Sequence, residues 1–435
     1  MSQEPIIAAI DLGTDKCVAL IAKVLPESRA LQVVGVNAVP SRGMKRSQII
    51  NLEEVIETIS ESLDGAERMA GLEVRSAWIS VGGVHIQSLN SKGVVAVAAP
   101  DQEITSLDVD RVIENARAVS LPSDKEIIHV VPNTFKVDSQ DGIKDPVGMA
   151  GIRLEADVHV VTAMSVALRN LQRAMENLGL KNNGWVFSGM AASGAVLTET
   201  EKELGVCLVD IGAGTTSLSV YSDGSLMFSG SIPVGARLIT QDIAHACRLS
   251  MEVADKIKVS LSTESNKPLK PQAGESKQDF NARKRRADEL RLEEYTNGEI
   301  SDIISKKIII ESVIGSRVDE IFDLVRETLD TRRLLSEIPA GIVITGGGAE
   351  TVNIAQMAKQ KLKLPTRIGM PEELDGLTLD IHKPSYATSI GLLLHGKSSV
   401  SADSGSGFSL GDVFGAVNLG GLGKKLSGFI KSLLP

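Results

Sequence analysis

The sequence has no surplus of positive charge: its formal net charge is −9, and only 3% of its residues are aromatic. A nucleic-acid binder needs a basic face to neutralise phosphates or aromatic platforms for the bases, and neither is provided. Cysteine is scarce as well. Cys17, Cys207 and Cys247 are odd in number and far apart, with no CxxC or Cys/His spacing around them. A disulfide framework and a thiolate metal site are therefore excluded, and the three read as buried thiols of a cytosolic protein. No Lys or Arg precedes Lys16, so the start lacks the basic region that opens a secretory signal. No uninterrupted apolar run reaches the ~18–20 residues needed to cross a bilayer, so any membrane contact must be peripheral.

What is present is globular material: 435 residues, 43% of them hydrophobic, ample for cores in two to four domains of roughly 100–200 residues each. The most informative feature is an internal echo. AIDLGTDKCVALIA at 9–22 and LVDIGAGTTSLSVY at 208–221 each read as an apolar strand, then Asp-aliphatic-Gly with Thr close behind, then a second strand. Between the copies, 51–63, 103–120 and 165–178 have helical spacing, while 74–83, 127–137 and 158–163 read as strands. Residues 242–262 and about 301–331 are helix candidates, and the polar stretch 263–298 reads as a loop or a solvated helix. The Ser/Gly-rich 396–412 reads as a flexible tether. The expected fold class is α/β, in two strand-and-helix lobes.

A loop turning tightly between two strands can aim backbone N–H groups at phosphate oxygens where Gly permits the approach and Thr adds a hydroxyl. In the first copy, Asp11, Gly13, Thr14 and Lys16 offer a carboxylate for a hydrated Mg²⁺, backbone donors and a cation for phosphate charge. In the second, Asp210, Gly212, Gly214, Thr215 and Thr216 offer the same without the lysine. One such turn is a commonplace hairpin connection; two copies point to a ligand clamped between them. Gly346, Gly347 and Gly348 follow the strand GIVIT, and their missing side chains would let an adenine lie against the backbone. No GxGxxG opens a helix after the first strand, which weakens a dinucleotide-binding reading.

These three loops resemble the actin, sugar-kinase and chaperone ATPase superfamily. Within it, the chain resembles the bacterial cell division protein FtsA family from about Ile6 to Lys397 and again at the tail. The resemblance rests on SRGM at 41–44, GIKDPVGMAGIRLEADVHVVTA at 142–163, ELGVCLVDIGAGT at 203–215, AGIVIT at 340–345 and YATSIGLLLHGK at 386–397. It implies a duplicated ribonuclease H-like, actin-like fold. Subdomain IA would span 1–83 and 164–204, an inserted SHS2-like IC 84–163, IIA 205–243 and 338–397, and IIB 244–337. A linker at 398–418 would lead to a membrane-targeting helix at 419–435. It further implies ATP with Mg²⁺ held by Asp11 and Asp210, self-assembly into filaments, and recruitment of other divisome proteins at the cytoplasmic face of the inner membrane. The C-terminal peptide of the tubulin-like ring protein FtsZ would dock on IIB around Arg317, Asp319 and Glu320, with Lys306 and Lys307 nearby. Alternatives within the superfamily are another scaffold of the MreB or pilus-assembly type, or a small-molecule kinase.

Relatives that hydrolyse ATP briskly hold a Gln or Glu ahead of a short Ala-rich helix to orient the attacking water. The segment GMAASGAVL puts Ser188 or Gly189 there, so hydrolysis is expected to be slow or absent. At the tail, Leu419, Leu422, Leu426, Phe429, Ile430 and Leu433 fall on one side of a helix, with Lys424 and Lys431 opposite and Lys425 beside them. No acidic side chain follows Asp412, and an amphipathic helix of that composition suits anionic inner-membrane lipid.

Overall fold

The computed structural model describes residues 5–97, 103–263, 270–296, 298–377 and 381–403. The expected linker beyond residue 403 and the tail residues Leu419, Leu422, Lys424, Lys425, Leu426, Phe429, Ile430, Lys431 and Leu433 lie outside the described residues.

Lobe I begins with a meander of β1 (Ile6–Leu12), β2 (Lys16–Val24) and β3 (Leu31–Pro40); β1 and β2 are apolar and buried along most of their length, whereas β3 alternates between buried and partly exposed residues. A small hairpin, β4 (Met44–Lys45) and β5 (Gln48–Ile49), leads into α1 (Leu52–Ala70), which is capped by the Asn51 side chain and closed by Gly71 in the left-handed conformation. After α1 comes β6 (Ser76–Val81), which pairs parallel to β1.

An insertion follows, formed by β7 (Gln87–Ala96), α2 (Ser106–Arg117), β8 (Lys125–Val137), β9 (Gln140–Ile143) and β10 (Arg153–Met164). Its four-stranded sheet, in the order β7-β10-β8-β9, has its own core around Val112, Leu154 and Val160. The chain returns to lobe I through α3 (Ser165–Asn177), β11 (Lys181–Phe187), α4 (Ser188–Val196) and α5 (Glu199–Leu204).

Lobe II repeats the opening. A meander of β12 (Val206–Ile211), β13 (Thr216–Ser222) and β14 (Ser225–Ile232) precedes α6 (Arg237–Cys247), α7 (Met251–Thr263) and α8 (Lys277–Asp288). Then come β15 (Glu289–Arg291), β16 (Ile303–Ser305), α9 (Lys306–Ile308) and α10 (Gly315–Thr331). The lobe closes with β17 (Gly341–Thr345), α11 (Ile354–Leu362) and β18 (Thr366–Ile368); β19 (Asp375–Gly376) and α12 (Ala387–Asp403) cross back to lobe I.

The two large sheets show what the echo signified. One reads β3-β2-β1-β6-β11 with β19 beside β3, the other β14-β13-β12-β17-β18. In each, an antiparallel meander is extended from its first strand by two parallel strands. The chain has built one unit twice and set the two first hairpins against each other.

Four sequence expectations change. The helix expected over 242–262 is broken at Arg248, which adopts the left-handed conformation (φ 54°), and Ser250 restarts it by accepting from the Val253 N–H. The helix expected over 301–331 starts late because Ile303–Ser305 pairs with β15; Ser305 then caps the helix, which passes through a π-helical turn at Ile309–Ile314. The tether expected from residue 396 is helical as far as Asp403. Of the cysteines, Cys17 and Cys207 are buried and Cys247 only half so. Among the described residues no helix is long and apolar enough to cross a membrane.

Candidate functional site

The two hairpins correspond residue for residue. Gly13 N–H donates to Lys16 O at 3.0 Å, and Gly212 N–H to Thr215 O at 2.9 Å. Asp11 therefore matches Asp210, Lys16 matches Thr215, and Cys17 matches Thr216 as the first ladder residue of the returning strand. Between the hairpins lies a cleft of about 670 Å³, floored by both loops and flanked by Gly346, Gly347 and Gly348. Every expected loop residue lines it except Thr216. Thr216 is fully buried, and its Oγ1 donates to Val234 O at 2.8 Å. The correction follows from register: like Cys17, Thr216 sits within the ladder, facing the core.

Glycine is required at particular places. Gly346 has φ +80°, and a Cβ there would fall 2.2 Å from Asp210 Oδ1. At Gly214 a Cβ would fall 2.8 Å from Thr14 Oγ1. Gly347 differs: a Cβ would meet nothing closer than Ser385 Cβ at 3.8 Å, so its bare backbone fronts open cleft.

The two carboxyl groups are held by hydroxyl donors. Asp11 accepts from Ser80 Oγ (2.8 Å) and Ser389 Oγ (3.1 Å), and Asp210 accepts from Thr388 Oγ1 (3.3 Å). Burial, with the charge of Asp11 adding to it, pushes Asp210 up to about 7; burial also raises Asp11, against the pull of its two hydroxyl donors and of Lys16. Two buried carboxyls with no direct cationic partner among the described residues could hold a hydrated divalent ion. Lys16 stands over the Tyr386 ring at 3.7 Å from its centroid, and burial lowers its pKa, so an anionic ligand would restore its preferred charged form.

Several residues of the site carry no sequence signal. Ser47, at the tip of the β4–β5 hairpin, donates its N–H to Thr14 Oγ1 and exchanges a 2.9 Å hydroxyl hydrogen bond with Thr215, tying the two loops together. Arg46 and Ser47 both have positive φ (48° and 58°), which no Gly or Asn announced. Along one face of α7, Glu252, Asp255 and Lys258 form the far wall, with Lys258 Nζ bonded to Thr240 and Asp255 at 2.7 Å each. At the head of α4, Ser188 Oγ reaches the cleft, 3.1 Å from Ser217 Oγ, whereas Gly189 is buried against Phe187 and Ser219.

Arg317, expected on a partner-binding face, is occupied within the chain. Its guanidinium grips Asp242 of α6 bidentately at 2.6 and 2.9 Å and also bonds Glu320. Asp319 and Glu320 are exposed.

Comparison with known proteins agrees with this architecture. Residues 83–162 match the family model described as the SHS2 domain inserted in FTSA, and residues 207–391 match that of cell division protein FtsA. The chain is 36% identical to cell division protein FtsA of Pseudomonas aeruginosa over 390 residues, 90% of this chain and 89% of that one. It is 34% identical to that of Escherichia coli K12 over 401 residues, 91% of each chain. In fold, it resembles a chain of a PilM-PilN type IV pilus biogenesis complex (TM-score 0.60, 13% identity, 90% and 98% of the two chains). It also resembles MreB5 of Spiroplasma citri bound to ADP (TM-score 0.52, 15% identity, 92% and 99%). The fold is thus actin-like with an SHS2 insertion, and the chain belongs to the cell division protein FtsA family.

Proposed function

We propose that this protein is an ATP-binding, filament-forming subunit that tethers the FtsZ ring to the cytoplasmic face of the inner membrane at the division site and recruits later divisome proteins. The single observation that carries the nucleotide reading is the pair of equivalent hairpins, which sets Asp11 and Asp210 at one end of the cleft between the lobes. Asp11 and Asp210 would hold a hydrated Mg²⁺, which would neutralise charge on the phosphates. Backbone N–H groups of the two loops, with Thr14, Thr215 and Lys16, would bind the phosphates, and Gly346–Gly348 would face the adenosine. Nucleotide-bound MreB5 is a fold-level parallel.

Ser188 can neither take a proton as a carboxylate does nor orient water as an amide does, so ATP acts as a conformational and assembly ligand with little turnover. The family supports a division role, and docking of the FtsZ C-terminal peptide on the IIB face bearing Asp319 and Glu320 is part of the proposal, with Arg317 holding that face in place through Asp242. Calorimetry of Mg-ATP tests the core of it: Asp210→Ala should cost more than about tenfold in affinity with circular dichroism unchanged. Wild-type affinity in that variant would reject the assignment of the loops, and turnover of about 1 s⁻¹ or more would reject the passive role of Ser188.

A further inference from the structure

We propose that a second cavity, directly behind the phosphate loops, binds a small uncharged molecule joining an amide-type head to an apolar body. This cavity, about 190 Å³, lies between the β4–β5 hairpin, the end of β6 and the first turns of α3. Its walls include Met44, Ile49, Val81, Met164 and Leu171. An engineered apolar cavity of about 150 Å³ admits benzene, so this one has room for a ring and a small head group.

The head group is called for by His85. The side chain lines the cavity and is 6% exposed, yet neither Nδ1 nor Nε2 has a hydrogen-bond partner among the described residues. Such a group is costly to bury, and a ligand that meets it recovers that cost. The ring sits against Gly83 (φ +112°), where a Cβ would fall 3.1 Å from Nδ1, so the chain leaves space for the ring without giving it a partner. Burial lowers the pKa of His85, keeping the imidazole neutral with one donor and one acceptor nitrogen. An amide carries both a donor and an acceptor, so it can pair with whichever ring nitrogen it reaches in either tautomer. A charged head would be desolvated at a penalty.

The two cavities share a thin wall of Leu12, Ser47, Ser80 and Gly82. Ser80 donates to Asp11 and accepts from the Leu12 N–H, and Ser47 is bonded to Thr14 and Thr215. An occupant pressing on these residues changes how the loops hold phosphate, and by linkage nucleotide changes its affinity in return. That coupling rests on the nucleotide reading; the site itself does not.

Benzamide is the probe, titrated into the full chain with and without saturating Mg-ATP and followed by saturation-transfer NMR and calorimetry. The wild type should bind it in both conditions. His85→Phe, which keeps an aromatic ring but removes both nitrogens, should weaken binding about tenfold, and Ala167→Leu, which fills the cavity, should abolish it. Val166 is 51% exposed at α3, so Val166→Trp keeps the test open if either core variant misfolds; it should obstruct entry. No benzamide signal, unchanged affinity in the folded variants, or one-for-one displacement by ATP would overturn the proposal. Failure of ATP to bind a wild type that still takes benzamide with these variant effects would sink the nucleotide reading alone.

Discussion

Burial in the cleft moves Asp210 far from its ordinary titration range. Its ordinary carboxyl value of 3.8 is raised to about 7, first by burial and then by the neighbouring Asp11. A raised pKa means the folded state prefers the protonated form. Its contribution to stability is full below 3.8 and is lost as the pH climbs through about 7. The ligand-free protein should therefore lose thermal stability across that window, and Asp210→Asn should flatten the loss; identical melting profiles for the two would contradict it. A cation at this site must displace the proton. Calorimetry of Mg-ATP near pH 7 in buffers of different ionisation enthalpy should report net proton release for the wild type and less for Asp210→Asn. The glycines differ in a similarly checkable way. Gly346→Ala must strain a positive φ and strike Asp210, so it should lower the melting temperature, by on the order of 1–3 kcal/mol of stability. Gly347→Val meets open space, so it should fold as the wild type does and lose nucleotide. Equal melting temperatures for the two variants would refute the distinction.

Among elements, the inserted sheet is joined to lobe I by the chain yet hydrogen-bonds to lobe II. Ser88 Oγ donates to Ser229 O and accepts from Ser229 N–H, at 2.7 and 3.0 Å, while Asn133 does the same for Leu226 at 3.1 and 3.0 Å. Side chains thus occupy the free edge of β14, the outermost strand of its sheet, in place of another strand. His159, fully buried, bonds Asn90 and Ser229 from behind. Asn133→Ala removes both bonds to the Leu226 backbone and should cost about 1–3 kcal/mol at roughly 0.5–1.5 each. Faster amide exchange at Leu226 and Ser229, with the lobe cores still protected, is the expected signature; unchanged exchange would show that the edge does not depend on Asn133. The hairpins of β1–β2 and β12–β13 were legible in the sequence because strand, turn glycine and carboxylate lie within a few residues of one another and recur. Ser47, Ser80, Thr388 and Ser389 were not, because an isolated hydroxyl residue looks alike in any loop or helix. The fold delivers each to Asp11, Asp210 or the loops from far along the chain. The Arg248 break is silent in the sequence for a related reason: a left-handed residue other than Gly or Asn leaves no compositional mark.

At the scale of the whole molecule, one repeated motif sufficed to indicate two lobes, whereas the proposed membrane attachment rests on residues 419–435, outside the described structure. The energetics of that tail nevertheless constrain how it can work. Its six apolar side chains, each partly immersed, would contribute on the order of 5–9 kcal/mol, given ~1.5–3 kcal/mol for a fully buried one. Ordering the tail as a helix would consume much of this. Lys424, Lys425 and Lys431 would add about 1 kcal/mol each against anionic lipid, less as salt rises. One tail should therefore hold a monomer only reversibly. A filament of actin-like subunits changes the arithmetic, because once one tail is inserted each further insertion is effectively intramolecular. Assembly alone should turn marginal attachment into firm attachment with no new contact. Leu426→Glu or Phe429→Glu should release the protein from anionic liposomes, and Lys→Gln changes should weaken binding most at low salt, where the charge contribution is largest. The decisive comparison is co-sedimentation of the full chain and of a chain truncated after Gly411, each under assembling and non-assembling conditions. The full chain should pellet strongly only when assembled, and the truncated chain in neither case. If the truncated chain pelleted like the full one, the anchor would have to be sought on the folded lobes.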